Sequence, residues 1–482
     1  MKTVACICIL LLGSTQAQQH FDLVRRARPH PTARNHPSLQ AWATRAGDHL
    51  AAKYGHTKAI LPGQRSKRRR AASEPLINVW SDSEYVSAIT IGTPGTSFDL
   101  VMDTGSGDMI VASSSCSSGC TNITNKYDTS SSSTSDSTST AFEITYGSGS
   151  ASGTLVTDVV AIGGLSVTSQ VFADCDKISN GLLQGSVTGL MGLGFKALST
   201  SGATPFWQNL ADGGLLPAQE FAFALTRFVN ATKAQEYEPG GIMTLGGVND
   251  TLYSGDIAYH SLSESEKYWQ VSLSGLAVGS TSLSNFSTAS VALDTGTSLI
   301  GAPDDVVASV FALIPGSSPA TDPGYEGYYT FPCDASIDFS VTIDSIRYPV
   351  SDADFNVGQL SQNSCLGALF ALSTSSSSTS PQYILGDSFI KNYYTVFRYK
   401  PTASIGFATL SAESLTLQDA DIEGLLKATG LSDSTGSTSD AASLLRPICS
   451  ITAAIGIVMI TITSDSSIYT FSSPNPRARL KV

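Results

Sequence analysis

One short stretch occurs twice in this chain, and the repeat constrains the fold more than any other feature. The first copy, LVMDTGSG, covers residues 100–107, and the second, VALDTGTS, covers residues 291–298. In each copy an apolar run indicates a buried strand, and the glycine after Asp-Thr indicates the turn that ends it. A carboxylate at the end of a buried strand is costly to ionise unless it is hydrogen-bonded. Asp103 and Asp294, which lie 191 residues apart in matching contexts, therefore predict one site built by two halves of a duplicated domain.

The similarity of the two halves extends beyond the repeat. Gly192, in the sequence GLMGLGF, lies 89 residues after Asp103, and Gly386, in YILGDSFI, lies 92 residues after Asp294. The chain of 482 residues has room for two or three domains. It is rich in Gly, Ser and Thr, only 14% of its residues are charged, and it lacks a long amphipathic helical pattern. These features favour an all-β fold.

The sequence around and between the two copies predicts strands and turns. Residues 80–112 have a strand–turn–strand pattern with its turn at residues 92–95. Residues 128–140 are nearly all Ser, Thr and Asp, which predicts a polar surface loop. Residues 141–160 predict a β-hairpin with a glycine-rich tip at residues 146–153.

Charge is distributed unevenly along the chain. Residues 20–70 hold twelve basic and two acidic residues, a net charge of about +10, whereas residues 71–482 hold 15 basic and 38 acidic residues, about −23. This asymmetry predicts electrostatic docking of the leader on the body, and it makes nucleic acid a poor partner for the body. Five of the six histidines precede residue 70. A Ser-His-Asp, Cys-His or His-rich metal site would therefore rest on His260 alone, which disfavours those mechanisms.

The N-terminal segments predict a secreted precursor. Residues 1–17 combine Lys2, an apolar core and a small-residue end, which indicates a signal peptide; a buried N-terminal strand is the alternative. Residues 18–70 form a basic leader that ends in Lys-Arg-Arg-Arg. Because secretion excludes a nuclear role for this run, a processing site for a kexin-type protease is the favoured interpretation. The leader would then be a propeptide, and the body would begin near Ala71.

Secretion permits disulfides and N-linked glycans. Of the eight cysteines, Cys6 and Cys8 lie in the apolar N-terminal segment. Two pairs are predicted to form disulfides, Cys116–Cys120 and Cys333–Cys365, and Cys175 and Cys449 are left over. The chain has no CxxC pair, which disfavours a zinc site. N-x-S/T sequons predict glycosylation at Asn122, Asn230, Asn249 and Asn285.

The β pattern stops after about residue 410. Residues 413–447 predict a Ser/Thr-rich spacer, and residues 448–482 hold an apolar run of 15 residues and a tail. The run is short for a membrane-spanning helix. A GPI-anchor signal fits this region in outline, although 20 residues follow the apolar run. A membrane anchor with a basic cytosolic end and a disordered tail are the two alternatives.

Taken together, these motifs resemble the pepsin-like (A1-type) aspartic proteases, and the sequons and Ser-rich tail resemble fungal secreted or cell-surface members. The resemblance covers about residues 80–408 and rests on both Asp-Thr-Gly motifs, TYGSGS with Tyr146, YWQV at residues 268–271 and ILGDSFIKNYYTVF. It implies an all-β, bilobal pepsin-like fold with two similar β-rich lobes, a substrate cleft and a β-hairpin flap. The implied N-terminal lobe is residues 71–270, and the implied C-terminal lobe is residues 271–412.

The resemblance also implies a role for each residue around the repeat. Asp103 and Asp294 would be the catalytic dyad, holding one shared proton and activating a water that attacks the peptide carbonyl directly. The implied supporting residues, which brace the loops or hydrogen-bond the carboxylates, are Thr104, Gly105, Ser106, Thr295, Gly296 and Thr297. The implied flap residues, which close over the substrate, are Tyr146, Gly147 and Ser148.

Two positions depart from the family pattern. Ile110 stands where the family usually has a Trp that hydrogen-bonds the flap tyrosine. We therefore expect a differently anchored flap and an altered first specificity pocket, with Ile110 among the substrate-binding residues. Arg398 stands where an acidic residue often follows TVF, and the sequence offers no functional account of it.

The sequence thus predicts an aspartic endopeptidase, made as a secreted zymogen, that hydrolyses internal peptide bonds of proteins at acidic pH. Its expected partners are polypeptide substrates and its own propeptide, with no nucleic acid, no cofactor and no metal ion. We expect a monomer in the secretory pathway, bound for the extracellular space or the cell surface rather than the vacuole. Membrane contact is expected only through a C-terminal anchor. The alternatives are a catalytically silent pepsin-like binding protein and a surface adhesin, and the two intact motifs favour the enzyme.

Overall fold

The structure is a computed structural model that describes residues 42–43, 46, 72–79, 81–146, 149–183, 185–229, 231, 234, 237–372 and 381–417. The predicted signal peptide, the Ser/Thr-rich spacer and the C-terminal tail lie outside these residues, with the exception of the first five spacer positions. Gly147, Ser148, Asn230 and Cys449 lie outside them as well.

The described residues form 25 strands and five short α-helices. The strands of the first half are β1 (Ala72–Val79), β2 (Glu84–Ile91), β3 (Thr96–Asp103), β4 (Met109–Ala112), β5 (Asp136–Tyr146), β6 (Gly149–Ile162), β7 (Leu165–Ile178), β8 (Val187–Gly192), β9 (Glu220–Leu225), β10 (Tyr237–Leu245) and β11 (Tyr253–Ser261). The remaining strands are β12 (Gln270–Val278), β13 (Thr281–Ser282), β14 (Ala289–Leu293), β15 (Ile300–Pro303), β16 (Ser318–Pro319), β17 (Tyr329–Pro332), β18 (Phe339–Ile343), β19 (Ile346–Pro349), β20 (Asn356–Ser361), β21 (Ser364–Gly367), β22 (Leu369–Leu372), β23 (Tyr383–Leu385), β24 (Tyr393–Arg398) and β25 (Ser404–Leu410). The helices are α1 (Phe206–Asp212), α2 (Asp304–Phe311), α3 (Asp352–Phe355), α4 (Asp387–Ile390) and α5 (Ala412–Thr416).

The two Asp-Thr-Gly copies lie in the same local arrangement of strands. β3 pairs in parallel with β8, so that Asp103 lies beside Gly192. β14 pairs in parallel with β23, so that Leu293 lies beside Leu385. In each half the strand that follows the Asp-Thr-Gly turn, β4 or β15, pairs antiparallel with that same neighbour. The duplication inferred from the sequence is therefore repeated in the strand pairing.

Strands from both sides of residue 270 share one sheet. A 13-stranded sheet has the order β11-β25-β24-β9-β10-β1-β2-β3-β8-β4-β7-β6-β5, so β24 and β25 from the end of the chain lie beside β9 and β11. An 8-stranded sheet contains β19-β18-β12-β14-β23-β15-β22 with β13 beside β12, and a 4-stranded sheet contains β16-β17-β21-β20. The division of the lobes at residue 270 stays a prediction.

An aromatic cluster packs behind the Asp103 loop and joins early and late parts of the chain. The ring centroid of Trp269 lies 4.3 Å from that of Phe195 and 5.3 Å from that of Phe397. The indole Nε1 of Trp269 also donates a hydrogen bond of 2.9 Å to the carbonyl of Leu193. Trp269 belongs to the YWQV motif and is fully buried. Its ring and its N–H group therefore hold the segment that follows β8.

The predicted polar loop is shorter than its composition indicates. Only the first part of residues 128–140 is loop, with a 3₁₀ turn at Thr129–Ser131. β5 already begins at Asp136, which pairs with Thr157 of β6. Residues 136–141 are all exposed. An exposed strand needs no apolar alternation, so its residues carry no pattern that would reveal it, and the loop prediction is wrong there.

Both predicted disulfides, Cys116–Cys120 and Cys333–Cys365, are present. Cys175 is a buried free cysteine. Among the described residues, no helix has both the length and the apolar character needed to cross a membrane.

The structure contradicts one of the predicted glycosylation sites. Asn122 and Asn285 are exposed, but Asn249 is only 1% exposed. The side-chain oxygen of Asn249 accepts hydrogen bonds of 3.1 Å from both the backbone N–H and the hydroxyl of Thr251. Because a glycan on a buried, hydrogen-bonded amide cannot fit in this folded domain, the prediction for Asn249 is wrong.

Arg398, for which the sequence offered no account, has a structural one. Its guanidinium carbon lies 3.5 Å from the ring centroid of Tyr259, and its Nε donates to Glu220 over 2.8 Å. Arg398 and Glu220 are directly opposite in the β24–β9 register. The arginine therefore stacks on an aromatic face and neutralises a cross-strand carboxylate within the 13-stranded sheet.

Candidate active site

Asp103 and Asp294 occupy equivalent positions in the two halves. Asp103 is the last residue of β3, and Asp294 directly follows β14. Both residues are 0% exposed. Since ionised carboxylates in such positions need hydrogen-bond donors, the groups around each oxygen decide what the pair can do.

The Asp103 carboxylate accepts hydrogen bonds from its own turn. The backbone N–H of Gly105 donates to Oδ1 over 2.9 Å, and the Ser106 hydroxyl donates to Oδ2 over 2.6 Å. Donors of this kind favour the ionised form of a carboxyl group, against the cost of its burial. The glycine places a backbone N–H group close to the carboxylate, as the resemblance implied.

The Asp294 carboxylate repeats this pattern atom for atom. The backbone N–H of Gly296 donates to Oδ1 over 3.0 Å, and the Thr297 hydroxyl donates to Oδ2. Ser106 and Thr297 therefore make the same hydrogen bond in the two halves. Because each donor lies within three residues of its aspartate, the Asp-Thr-Gly turn itself creates both sets of contacts.

Two threonines cross-connect the motifs. The Thr104 hydroxyl donates to the Leu293 carbonyl over 2.9 Å and accepts the backbone N–H of Thr295 over 3.0 Å. With the two threonines exchanged, the same contacts recur: the Thr295 hydroxyl donates to the Met102 carbonyl over 2.6 Å and accepts the backbone N–H of Thr104 over 3.1 Å. Both side chains are almost fully buried. This brace joins the two loops and fixes the relative positions of the two aspartates.

The predicted flap is a β-hairpin, and Tyr146 lies at its end. β5 and β6 pair antiparallel up to Tyr146 and Gly149, while the tip residues Gly147 and Ser148 are outside the described residues. Tyr146 is 2% exposed. Burial raises the pKa of its hydroxyl well above the ordinary value, and the negative charges of Asp108 and Asp103 raise it further. Tyr146 therefore lies within electrostatic range of the Asp103 loop.

The Tyr146 hydroxyl finds no hydrogen-bond partner among the described residues. Ile110, in the middle of β4, is fully buried and lies opposite Leu190 of β8. An isoleucine side chain can neither donate nor accept a hydrogen bond. The altered specificity pocket expected at Ile110 stays a prediction.

His260 belongs to a different part of the molecule. Its Nδ1 lies 3.0 Å from a carboxylate oxygen of Asp344, and its Nε2 lies 2.7 Å from the Tyr348 hydroxyl. His260 is buried on β11, and these contacts connect it to Tyr348 of β19 and to Asp344 just before that strand. Within the described ranges, no three His, Cys, Asp or Glu side chains come together as metal ligands would.

Sequence reasoning missed Asp108, which is 3% exposed and accepts hydrogen bonds from the segment Ser199–Ser201. One signal was available: Asp108 is a charged residue directly before the buried run MIVA of β4. Buried charges of this kind require partners.

The geometry supports general acid–base chemistry by two carboxyl groups. Asp103 and Asp294 lie buried on equivalent loops that the threonine brace joins. Two carboxyl groups held close together share one proton, because both cannot ionise easily. In that state one group can accept a proton while the other donates one. Tyr146 belongs to the half that carries Asp103, so the hydrogen bonds to the two aspartates are symmetric but their wider surroundings are not.

Comparison with known proteins places these features in a family. A family model described as eukaryotic aspartyl protease matches residues 84–410. The chain is 41% identical over 364 residues to major aspartyl peptidase 1 of Cryptococcus neoformans var. grubii, covering 73% of this chain and 74% of the relative. It is 33% identical over 399 residues to rhizopuspepsin-1 of Rhizopus niveus, covering 80% and 95%. It is also 33% identical over 351 residues to pepsin A of Sus scrofa, covering 72% and 84%.

Proposed function

Because this chain belongs to the eukaryotic aspartyl protease family and is an aspartic-type endopeptidase, we propose that Asp103 and Asp294 are its catalytic dyad and that it cleaves internal peptide bonds of proteins at acidic pH. The predicted all-β, bilobal pepsin-like fold is confirmed with the family. One observation carries the assignment of the dyad: the hydrogen bonds to the two carboxylates are identical atom for atom in the two halves.

The proposed reaction needs only the two carboxyl groups and water. The ionised carboxylate takes a proton from a water held between the two aspartates, and the oxygen of that water attacks the peptide carbonyl carbon. The protonated carboxyl group donates its proton to the carbonyl oxygen, giving a neutral tetrahedral diol. Collapse of the diol breaks the C–N bond. The leaving nitrogen takes the proton that the first carboxylate removed from the water, and the second carboxylate takes a proton from a diol hydroxyl, which restores the starting state. Because the water attacks directly, no covalent enzyme intermediate forms.

We further propose that residues 18–70 are a propeptide that docks on the body. A described part of the leader supports this: Ala43 is 0% exposed, and its carbonyl accepts a hydrogen bond of 2.6 Å from the Tyr328 hydroxyl. Ala46, three residues later, is 7% exposed and belongs to the same apolar cluster as Tyr328 and Phe370. The basic charge of the leader complements the acidic body. Cleavage after Arg70 would release the mature enzyme.

The proposed location follows from the N-terminal segment. Residues 1–17 would direct the chain into the secretory pathway, and the enzyme would act outside the cell or at the cell surface as a monomer. The two disulfides fit an oxidising compartment. The C-terminal tail would be a GPI signal, a membrane anchor or a disordered tail, and mass spectrometry of the mature C-terminus would distinguish these.

The proposal is tested by cleavage of denatured globin at acid pH. Wild-type precursor, treated to remove the leader, is expected to produce peptides, whereas Asp103→Asn and Asp294→Asn are expected to fold and to produce none. A folded, processed wild-type protein without cleavage would contradict the proposal and favour a binding protein with a silent site. Full activity in either Asn variant would show that these two aspartates are not the dyad.

A further inference from the structure

We propose that Asp108 is a positioning residue for the peptidase site, and that its carboxylate clamps the Asp103 loop to the segment Ser199–Ser201. This inference rests on the proposed function, since it assigns a role within the same site. Asp108 lies five residues after Asp103 and is 3% exposed. Its carboxylate binds the 199–201 segment, so its effect on the chemistry would be indirect.

The Asp108 carboxylate accepts four hydrogen bonds from one short segment. Its Oδ1 accepts the Ser199 hydroxyl over 2.8 Å, the Ser201 backbone N–H over 3.0 Å and the Ser201 hydroxyl over 2.5 Å. Its Oδ2 accepts the Thr200 backbone N–H over 2.5 Å. Hydrogen bonds to an ionised acceptor are roughly twice as strong as neutral ones. Four of them on one buried carboxylate make a rigid junction between two loops.

Backbone hydrogen bonds strap the same loop at three further points. The carbonyl of Asp103 accepts the Leu193 N–H over 2.7 Å, that of Ser106 accepts the Gly194 N–H over 2.7 Å, and that of Asp108 accepts the Gly192 N–H over 2.9 Å. These straps run along one side of the loop, from β8 onward. The Asp108 carboxylate adds the connection to the 199–201 segment.

The clamp leaves no free space at Gly107. A Cβ atom at Gly107 would lie 2.7 Å from the Ser199 nitrogen, closer than side-chain carbons approach other atoms. The loop and the 199–201 segment are therefore in direct contact, and the position of one determines the position of the other.

The second half lacks this clamp. The position equivalent to Asp108, five residues after Asp294, is Leu299, which is fully buried. The second loop is held instead by the Ser388 hydroxyl, which donates to the Ser298 carbonyl over 2.7 Å. The Asp387 N–H also donates to the Thr297 carbonyl over 2.7 Å. The carboxylate clamp is therefore specific to the half that carries the flap.

Ser106 links the clamp to the chemistry. It lies between Asp103 and Asp108 in the chain, and its hydroxyl donates to the outer oxygen of Asp103. The Asp108 charge also acts on Tyr146 of the flap, where it helps to raise the pKa of the hydroxyl. Losing the clamp would free the far end of the loop and shift Ser106. Small displacements of this kind lower the rate of the chemical step more than the binding of substrate.

The test compares Asp108→Ala and Asp108→Asn with a matched control, Asp158→Ala and Asp158→Asn. Asp158 is a fully buried aspartate in the same half. Its carboxylate also accepts several hydrogen bonds, from the Tyr127 hydroxyl over 2.7 Å, the Thr134 hydroxyl over 2.6 Å and the Val159 N–H over 2.8 Å. Its partners do not belong to the Asp103 loop. Both pairs of variants therefore lose a buried carboxylate, but only one pair loses the clamp.

We expect Asp108→Ala to lower kcat by on the order of 10- to 100-fold on a peptide substrate while KM changes by less than about threefold. Asp108→Asn should lose less, because an amide oxygen in the place of Oδ1 retains three of the four acceptor contacts. The Asp158 variants should lower the melting temperature by a similar amount and leave kcat near the wild-type value.

Two outcomes would overturn the inference: wild-type kcat in a folded Asp108→Ala protein, or equal losses of kcat in the Asp108 and Asp158 variants at equal destabilisation. If Asp108→Ala does not fold, the comparison of Asp108→Asn with Asp158→Asn decides in the same way. An inactive wild-type enzyme would instead refute the proposed function, so the two failures are distinguishable.

Discussion

Lys391 and Asp82, 309 residues apart in the chain, form a buried ion pair with a distance of 2.6 Å between Nζ and Oδ2. Both side chains are 2% exposed. Lys391 also lies 3.0 Å from Asp354, which in turn binds the guanidinium group of Arg227 through both of its oxygens. The cluster of two acids and two bases connects the beginning of the described body with its C-terminal part.

The first prediction concerns this cluster. Lys391→Met leaves two carboxylates buried without their shared cation, and removing one partner of a buried ion pair typically costs about 3–5 kcal/mol. We expect a loss of this order in the free energy of unfolding, measured by urea denaturation. Lys400→Met is the control, because its pair with Asp212 is 3.4 Å long and exposed, and it should cost less than about 1 kcal/mol. Equal losses in the two variants would contradict the prediction.

The second prediction concerns pH. Burial raises the pKa of Glu74 to about 8 from an ordinary 4.5, so the folded protein holds a proton there that the unfolded chain releases. The stability that this proton contributes is full below about pH 4.5 and is lost as the pH rises toward 8, by at most about 1.4 kcal/mol per pH unit. The protein should therefore lose stability on the way from acid to neutral pH.

Glu74→Gln cannot ionise, so it removes this pH-dependent contribution to the free energy of unfolding. We expect its free energy of unfolding to exceed that of the wild type increasingly between pH 4.5 and about 8. Glu143→Gln, at an exposed position of β5, should follow the wild-type curve. Parallel curves for the wild type and Glu74→Gln across this range would show that Glu74 does not titrate in this way.

The third prediction concerns the threonine brace. Thr295→Ala removes the hydroxyl that donates to Met102 and accepts from Thr104, and it leaves both backbone groups buried without that partner. We expect a destabilisation of about 1–3 kcal/mol and a fall in kcat of roughly tenfold or more, because the two loops lose part of their alignment. Thr295→Ser keeps the hydroxyl and should stay close to wild type in both measurements. A Ser variant as impaired as the Ala variant would argue against the hydrogen bonds as the cause.

The fourth prediction concerns Ile110. Ile110→Trp adds volume at a fully buried position and supplies an indole N–H group, the donor that the family usually provides for the flap tyrosine. The Tyr146 hydroxyl has no partner among the described residues. We expect an overpacking cost of about 1–3 kcal/mol and a changed preference for the substrate side chain next to the scissile bond. Cleavage profiles on a peptide library, with Ile110→Leu as the control, measure this change. Identical profiles for the wild type and Ile110→Trp would contradict a role of this position in specificity.

Local sequence patterns predicted the parts of the site whose contacts join residues only a few positions apart. The turn after β3 places Gly105 and Ser106 against Asp103 within three residues, and the turn after β14 repeats the arrangement. The β5–β6 hairpin also followed from local alternation and its glycine-rich tip. The same reasoning failed for residues 136–140, since an exposed strand carries no apolar pattern, and for Asn249, since a sequon does not report burial.

The sequence by itself determined the all-β class, the duplication and the two Asp-Thr-Gly turns, because each depends on short apolar runs and on a turn that only certain residues form. Only the tertiary structure decided which distant residues meet: Lys391 with Asp82, Arg398 with Tyr259, and Asp108 with Ser199–Ser201. Such contacts depend on which strands become neighbours in a sheet that mixes both ends of the body. No local pattern encodes that neighbourhood, since it is set by the packing of the whole chain.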